Sequence, residues 1–360
     1  KECLVCGSKD LIQDPDTLDT WFSSGTWTFS TLGWPDNFVK GKKTGDLARF
    51  HPTQVLETGY EIITLWVSRM IIMSFFALNE IPFEKVYLHG MILDKEGKKM
   101  SKSKGNGIDP LAMIEKYGTD AVRLSLLMGS TPGGDGRVSE EKIQSQRNFV
   151  NKLWNVARFI IEKCHSGGSE ERATDRIPMR FYRSADATLQ NDYLTLADKW
   201  ILGKFRLATE SVTAKIENYE FSSAGEILSK FTWDDLADWY LEISKFEKNK
   251  EKKQILFYIL ENLLKLWHPF MPFVTEVIWQ ELGKKNLLMV EKWPAYAPLN
   301  GTTAGKPTKA VEGESVKSPL PPFAKGGNKG FEVVKDIVTA IRNARSENRV
   351  EPARKIKAVI

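Results

Sequence analysis

The sequence predicts an α/β portion over residues 1–140 and an all-α bundle after it. In the first portion, short β-like runs such as 86–88 alternate with helical stretches, of which 59–78 is the longest. This alternation is typical of a parallel sheet covered by helices. From residue 141 onward, apolar residues recur at steps of three and four, which predicts amphipathic helices packed as a bundle.

The composition is that of a globular protein with two or three domains. The chain has 360 residues, 42% apolar and 27% charged, and a net charge of +5, which permits a nucleic-acid partner without requiring one. Three cysteines exclude a disulfide scaffold. No run of 18 apolar residues occurs, so we expect no membrane span. Because the chain starts at Lys1, without Met or a leader, we expect it to be a fragment.

The predicted bundle occupies residues 141–293. Apolar periodicity continues through 194–218, 224–243 and 253–267, two prolines then interrupt it, and 273–282 resumes as a helix. We expect the tryptophans of this region to pack in its core, because they stand among other apolar residues. They are Trp154, Trp200, Trp233, Trp239, Trp267 and Trp279.

The segment that follows the bundle has a different composition. Residues 294–330 contain six prolines and six glycines, which predicts a linker or a loop insertion. Beyond it, apolar residues at positions such as Val334, Ile337 and Ile341 predict a helix that ends near residue 348. We assign 331–360 to the start of a carboxy-terminal segment.

A lysine-rich loop within 89–106 is the segment best suited to chemistry. Its lysines alternate with small residues and are Lys95, Lys98, Lys99, Lys102 and Lys104. Because it has little to bury, the segment is predicted to be an exposed, mobile loop. Its ammonium and hydroxyl groups could neutralise a polyphosphate; the alternative is an ordinary solvated lysine run.

The order of residues in this loop is more specific than its composition. Residues 99–103 read Lys-Met-Ser-Lys-Ser, with His-Gly at 89–90 and Gly-Asn at 105–106. These residues match the signature loop of the class I aminoacyl-tRNA synthetases at every position. The chain resembles that family over 1–294 and 331–360. The resemblance implies the carboxy-terminal half of a Rossmann-type catalytic domain, which uses ATP with Mg²⁺, followed by an anticodon-binding bundle.

The resemblance also implies roles for the residues of the loop. In such enzymes the amino acid attacks the α-phosphate of ATP, and mobile lysines stabilise the charge that grows on the leaving pyrophosphate. The implied catalytic residues are Lys102, Lys99, Ser101 and Ser103. The implied ATP-binding residues are His89, Gly90, Met100 and Lys102.

Three further segments, 16–25, 31–35 and 58–70, resemble the valine-specific branch of this family. That branch implies valine and valine tRNA as substrates. The isoleucine and leucine branches share the plan but commonly have an Asp where Ser23 or Ser24 stands here. They remain the alternatives within the family, while another nucleotidyltransferase of the same fold would end soon after its loop.

By resemblance, Trp21 and Trp66 line the pocket for the amino-acid side chain; the alternative is that both are ordinary core residues. A narrow apolar pocket suits valine but discriminates poorly against an isostere that carries a hydroxyl, such as threonine. Glu61 stands where the family usually has Asp and would face the substrate ammonium. Its carboxylate is one methylene further from the backbone, so this assignment is less direct.

Two other groups of residues are candidates for binding. Cys3 and Cys6 have zinc-knuckle spacing and could supply half of a Zn²⁺ site, because zinc takes four ligands; the alternative is a turn that has kept its thiols. In the helical region, Arg147, Lys152 and Arg158 are candidates for contacts with tRNA phosphates.

Some features of the family are not visible in this sequence. The class I ATP site has a second half with a His-x-Gly-His signature, which does not occur among the four histidines. The editing domain and the carboxy-terminal arm of the branch are also not visible. A tRNA-binding chain without catalysis is therefore the alternative from a different functional class. We expect a cytoplasmic monomer.

Overall fold

The computed structural model describes residues 2–3, 5–13, 15–101, 105–165, 194–247, 250–294 and 322–347. The chain divides into two compact units. Unit 1 comprises Lys1–Asn106 and Ser130–Arg137, and unit 2 comprises Gly107–Gly129 and Val138–Ile360. Unit 1 combines strands with helices and unit 2 is built from helices, which confirms the predicted fold class.

Unit 1 has short elements apart from one long helical crossover. Its helices are α1 (Thr20–Gly25), α2 (Trp27–Ser30), α3 (Gly45–Phe50) and α4 (Ser68–Leu78). Its strands are β1 (Phe38–Val39), β2 (Lys42–Lys43), β3 (Thr53–Gly59), β4 (Phe83–His89), β5 (Ile92–Leu93) and β6 (Gly136–Arg137). A 3₁₀ turn, Tyr60–Ile62, and a π-helical turn, Ile63–Val67, join β3 to α4.

The frame of unit 1 is the parallel pair of β3 and β4. The register aligns Thr53 with Phe83 at one end and Gly59 with His89 at the other. Parallel neighbours require a crossover connection, which the helical stretch over 60–78 supplies. The strand predicted at 86–88 and the helix predicted over 59–78 are both confirmed.

Burial of apolar side chains fixes the crossover against the strand pair. Leu56 of β3 and Phe83 of β4 are buried together with Val67 and Met70 of the crossover. Trp66 packs against this cluster and is only partly buried. Its ring therefore lies at the edge of this core, whereas the next residue of the same π-helical turn, Val67, lies inside it.

The crossover is also the most apolar helical segment that the structure describes. Tyr60–Leu78 is long and apolar enough to cross a membrane by length and composition, with a mean hydropathy of 1.7 and 22% of it buried. Polar residues such as Glu61, Ser68 and Arg69 interrupt this segment, so it contains no uninterrupted run of 18 apolar residues. One such helix is weak support for a membrane span, since core helices pass the same test.

Unit 2 packs its helices around one apolar core. The helices are α5 (Pro110–Tyr117), α6 (Thr119–Leu127), α7 (Glu140–His165), α8 (Leu196–Glu217), α9 (Phe221–Lys230), α10 (Leu241–Phe246), α11 (Lys250–Trp267), α12 (Pro272–Glu281) and α13 (Pro322–Glu347). A π-helical stretch, Phe231–Tyr240, joins α9 to α10. The helices predicted from the apolar periodicity are therefore present.

Side-chain caps fix the starts of two of these helices. Thr195 and Asp198 form a capping box at the start of α8, in which each side chain bonds the other residue's backbone N–H. The carboxylate of Asp120 accepts hydrogen bonds from the backbone N–H groups of Phe273 and Val274, at 3.3 and 2.7 Å, at the start of α12. Asp120 thereby ties α6 to α12, which are far apart in sequence.

The six tryptophans of the bundle fall into three groups, and one of these is Trp239 alone, which is partly buried against the apolar core. Trp200, Trp267 and Trp279 are fully buried, as expected for core residues. For Trp154 and Trp233 the core prediction is wrong, because both rings are 38% exposed. The exposed Trp233 ring contacts Lys152, whose ammonium stands 4.7 Å from the ring centre in a cation–π contact.

Helix α13 docks on α8 through an aromatic contact. The ring of Phe331 lies 4.5 Å from that of Trp200, and the indole N–H of Trp200 donates to Glu332 at 3.1 Å. Lys335 forms an ion pair with Asp235 at 3.1 Å. The helix predicted to end near residue 348 is confirmed, although it begins earlier, at Pro322. Most of the predicted linker, 295–321, lies outside the described residues.

Candidate active site

The carboxyl ends of β3 and β4 bring together several of the residues that the sequence singled out. The register pairs Gly59 with His89, so the turn that carries Glu61 begins beside Gly90. In open α/β sheets, ligands bind at this edge because the connections leave a crevice there. The candidate site therefore lies within unit 1.

Lys99 of the signature loop reaches this edge. Its Nζ atom donates to both carboxylate oxygens of Glu61, at 2.9 Å each. The side chains are 55% and 42% exposed, so solvent screens the pair and its net contribution to stability is small. The structure thus places a predicted catalytic residue against a predicted amino-acid-binding residue.

Hydrogen bonds fix the base of the signature loop. Asp94 accepts from the backbone N–H groups of Glu96 and Lys98, at 3.0 and 2.8 Å, which closes a tight turn. Asn106 connects the two ends of the loop, because its amide nitrogen donates to Asp94 at 2.8 Å and its oxygen accepts from the Ser101 N–H at 3.0 Å. These bonds lower the pKa of Asp94, with the Lys98 N–H as the largest cause.

The loop residues that the sequence predicted are only partly described. Ser101 and Met100 are half-buried at the base of the loop. Lys102 and Ser103 lie outside the described residues, so their predicted roles stay predictions.

Gly90 allows a close approach between two segments of the site. A Cβ atom at this position would lie 1.8 Å from the carbonyl oxygen of Gly134, closer than any side chain tolerates. The neighbouring His89 ring contacts the Gly90 carbonyl through Nδ1 at 2.9 Å, so Nδ1 carries the proton. Its Nε2 atom faces Glu57 at 3.4 Å. The His-Gly pair therefore shapes the end of β4, where nucleotide was expected.

Asp135 is a site residue that the sequence analysis missed. Its carboxylate accepts from the backbone N–H of Met91 at 2.8 Å and from the hydroxyl of Tyr60 at 3.1 Å. The second bond is the largest cause that raises the pKa of Tyr60. Asp135 thus ties the residue after β3 to the chain that leaves β4. The sequence offers only a weak signal for this contact, namely that the Asp stands within the glycine-rich run 133–136.

Of the two tryptophans predicted to line the side-chain pocket, Trp66 contacts a third tryptophan, Trp27. The indole N–H of Trp66 donates to the carbonyl of Ser24 at 3.0 Å, and its ring centre lies 6.1 Å from that of Trp27. Trp27 is 49% exposed and was missed in the sequence. Trp21 is half-buried on α1, where the Asp19 carboxylate caps its N–H at 3.1 Å and also pairs with Arg69 at 3.0 Å.

The cysteine pair forms a tight turn near residue 3. The N–H of Gly7 donates to the Cys3 carbonyl, and the N–H of Cys3 donates to the Ser8 carbonyl, both at 2.8 Å. The backbone N–H of Cys6 is the largest cause that lowers the pKa of the Cys3 thiol, which favours the thiolate that metals bind. Within the described part of the chain, no group of three or more metal-binding side chains occurs. The half zinc site at Cys3 and Cys6 therefore stays a prediction.

The cations predicted to contact tRNA lie on α7, and each has a partner within the protein. Arg147 donates to the Lys116 carbonyl at 2.6 Å, Lys152 pairs with Asp238 at 3.2 Å, and Arg158 stands 3.8 Å from Glu162. With 3.6 residues per turn, Lys152 projects from a different side of the helix than the two arginines. Their contact with RNA stays a prediction.

Two parts of the chain match known protein families. Residues 1–139 match the model of the "tRNA synthetases class I (I, L, M and V)", and residues 198–360 match the "Anticodon-binding domain of tRNA ligase". The chain is 40% identical to the valine--tRNA ligase of Clostridium tetani, in an alignment that covers 100% of this chain. It is also 40% identical to the valine--tRNA ligase of Geobacter sulfurreducens, in an alignment that covers 99% of this chain. It spans 37% of the length of both relatives.

Two solved structures share the fold. The ternary complex of Agrobacterium radiobacter K84 LeuRS, tRNA and LeuAMS superposes with a TM-score of 0.62 at 24% identity, covering 82% of this chain and 34% of that one. The methionyl-tRNA synthetase of Mycobacterium tuberculosis, bound by methionyl-adenylate, gives 0.54 at 21% identity, covering 74% and 50%. At these identities the likeness concerns the fold alone.

Proposed function

The chain belongs to the class I aminoacyl-tRNA synthetase family, and we propose that it forms part of an enzyme that attaches valine to valine tRNA. The observation that carries this proposal is the position of Lys99, which stands at the carboxyl ends of the parallel strands against Glu61. Relatives that match the whole chain at about 40% identity and are named valine--tRNA ligases support valine as the amino acid.

The first chemical step is the attack of the valine carboxylate on the α-phosphate of ATP, which expels pyrophosphate. Negative charge builds on the leaving phosphates, and Mg²⁺, when bound, shares that charge. Lys99 and Lys102 stabilise it in the transition state, with the hydroxyls of Ser101 and Ser103 as donors. His89, Gly90 and Met100 are proposed to border the nucleotide.

The amino acid is held beside the nucleotide. Glu61 is proposed to accept the α-ammonium of valine, and the indoles of Trp66 and Trp21 to line the pocket for its side chain. Trp27 joins them because its ring lies against that of Trp66. Rigid aromatic rings restrict the volume of an apolar pocket, so a side chain with an extra methylene is disfavoured.

The second step transfers valine to tRNA, and unit 2 is proposed to bind that tRNA through its anticodon region. Arg147, Lys152 and Arg158 of α7 are proposed to contact phosphates, each at the expense of its present partner. Binding that depends on such contacts falls steeply as salt is raised, because counterions are released. We propose a cytoplasmic, monomeric enzyme.

Cys3 and Cys6 are proposed to supply two of the four ligands of a structural zinc. The metal would hold the turn at residues 3–8 and would take no part in the chemistry. Zinc content of the complete gene product, measured by atomic absorption in the native protein and in Cys6→Ser, tests this. A zinc content that is equal in the two proteins contradicts it.

Amino-acid-dependent exchange of pyrophosphate into ATP tests the proposed function. The complete gene product should catalyse exchange with valine, far less with isoleucine or leucine, and measurably with threonine. Lys102→Ala and Lys99→Ala should lower the exchange rate much more than they raise the KM for ATP, because the charge that both lysines stabilise is largest in the transition state. Exchange that is supported best by isoleucine or leucine would assign the chain to another branch of the family.

The same assay separates the enzyme from the alternative of a tRNA-binding chain without catalysis. The 360-residue chain alone is expected to bind valine tRNA weakly and in a salt-dependent manner, without exchange activity. The chain spans 37% of its relatives' length, which favours that result. Exchange above background by the chain alone would show that these residues suffice for valine activation.

A further inference from the structure

Glu61 is placed to serve two cations in turn. In this structure both of its carboxylate oxygens accept from Lys99, at 2.9 Å each. In the proposed function, the same carboxylate accepts the α-ammonium of valine. Because Lys99 donates to both oxygens, an arriving ammonium has to share the carboxylate with it, and the bond of each cation to Glu61 is weakened.

The neighbouring carboxylates have other partners. Glu57 faces His89 at 3.4 Å, and Asp135 holds the Tyr60 hydroxyl and the Met91 N–H. Of these three carboxylates, Glu61 is the one that is paired with a lysine of the signature loop. An ammonium that binds Glu61 therefore competes with that lysine. Two ammonium groups on one carboxylate repel each other, so each weakens the binding of the other.

The Glu61–Lys99 pair is weak enough to be exchanged. Both side chains are about half exposed, and solvent screens ion pairs of this kind so that they contribute little net stability. The base of the loop stays in place when the pair opens, because Asn106 and Asp94 hold it by separate hydrogen bonds. Opening the pair therefore frees the lysine side chain without unfolding the loop.

We propose that Glu61 is a positioning residue that retains Lys99 until valine binds and then releases it to the phosphates of ATP. This proposal rests on the proposed function and adds a coupling to it. The substrate ammonium replaces Lys99 on the carboxylate, and the freed lysine becomes available to the triphosphate. Valine binding then favours ATP binding, and by linkage ATP favours valine by the same factor. No covalent bond changes in this step.

The test is equilibrium binding of ATP to the complete gene product. In Glu61→Gln the loop lysine is released without amino acid, so the Kd for ATP should fall about two- to fivefold, the equivalent of a surface ion pair. The KM for valine should rise in the same variant, because its ammonium loses a charged partner. A merely structural defect would weaken both substrates, so these opposite changes identify the coupling.

Valinol provides a second measurement without any mutation. This amino alcohol carries the ammonium and side chain of valine but lacks the carboxylate, so it cannot be activated. Saturating valinol should lower the Kd for ATP in the native enzyme to the value of Glu61→Gln, and it should have no further effect in Lys99→Met. An ATP affinity that valinol leaves unchanged in the native enzyme would overturn the proposal.

Two more variants complete the design. Glu96→Gln removes a carboxylate of the same loop that pairs with Lys98 at 2.8 Å, and it should leave the Kd for ATP unchanged. Glu61→Asp keeps the charge and withdraws it by one methylene, so it should release Lys99 while retaining most of the affinity for valine. If Glu61→Gln does not fold, Glu61→Asp decides the question by the Kd for ATP.

The outcomes separate this proposal from the proposed function. Valine-dependent exchange together with an unchanged or higher Kd for ATP in Glu61→Gln and Glu61→Asp would refute the coupling alone. An absence of valine-dependent exchange in the folded native gene product would refute the proposed function itself.

Discussion

The indole N–H of Trp66 donates a hydrogen bond to the backbone carbonyl of Ser24, with 3.0 Å between the two heavy atoms. The bond joins the end of α1 to the π-helical turn that follows β3. It orients the Trp66 ring, which lies 6.1 Å from the ring of Trp27. π-Helical turns are rare, and those that occur are frequently at functional sites. The proposed pocket wall would thus be built by two segments that are distant in sequence.

Truncation of Trp66 should change the amino-acid specificity. Trp66→Ala enlarges the pocket, so isoleucine should gain on valine in kcat/KM for pyrophosphate exchange. One methylene in such a pocket corresponds to about 1–3 kcal/mol, or roughly 10- to 200-fold in discrimination. Trp34→Ala is the matched control, because Trp34 packs edge-on against the Phe29 ring at 5.3 Å, in a separate cluster. Equal discrimination in Trp66→Ala and native protein would make Trp66 a core residue.

Substitution of Gly90 should disrupt the end of β4. In Gly90→Ala the new Cβ would meet the Gly134 carbonyl at 1.8 Å, so one of the two backbone segments must move. A displacement of about 1 Å at a reacting site costs on the order of 100-fold in rate, which we expect in the exchange assay. Gly107→Ala is the control, because a Cβ there meets nothing within 4 Å. Similar rates in both variants would contradict this account of the His-Gly pair.

A buried lysine in unit 2 offers a prediction about stability. Lys252 and Asp198 are both fully buried and lie 2.6 Å apart; Glu247 also pairs with Lys252, and Tyr240 donates to Asp198 at 2.6 Å. Lys252→Met leaves the buried Asp198 charge without its cationic partner, which costs about 3–5 kcal/mol in the free energy of unfolding.

An exposed lysine on a nearby helix provides the control for that prediction. Lys245 pairs with Glu242 at 2.6 Å, with side chains 47% and 51% exposed. Lys245→Met should therefore cost less than about 1 kcal/mol. Urea denaturation of both variants, followed by circular dichroism, measures the difference. Equal losses of unfolding free energy in the two variants would show that the buried pair contributes no more to stability than the exposed pair.

The difference in burial between Lys252 and Lys245 could not be predicted from the sequence. Periodicity predicted the helices of unit 2 and the crossover after β3, because it depends on residues three or four positions apart. It could not show that Lys252 is buried, since its partner Asp198 belongs to another helix. A lysine in a helical pattern looks the same whether its ammonium meets water or a carboxylate.

The candidate site shows the same division. The sequence motif at 89–106 was sufficient to identify the signature loop without a structure. Asp135 and Trp27 were missed because their roles depend on Tyr60 and Trp66, which chain folding alone brings near. The Lys99–Glu61 pair joins two residues that the sequence had singled out for different substrates, so their contact was not predictable from either motif.

The final prediction concerns pH and the buried His51. Its Nε2 atom lies 3.0 Å from the Ser74 hydroxyl, and its Nδ1 atom is 3.3 Å from Glu80 without hydrogen-bond geometry. Burial is the largest cause that lowers the pKa of His51 below the ordinary 6.5; the Lys43 charge adds to it and Glu80 opposes it. The folded state therefore binds this proton less readily than the unfolded state does.

The sign of the pH dependence follows from that difference. A lowered folded pKa means that stability is fully present above the unfolded pKa of 6.5 and is lost as the pH falls through the folded pKa. The urea midpoint of the native protein should thus be lower at about pH 5.5 than at about pH 7.5. In His51→Gln this difference should shrink but persist, because burial also lowers the pKa of His268. A difference that is as large in His51→Gln as in the native protein would show that His51 is not its source.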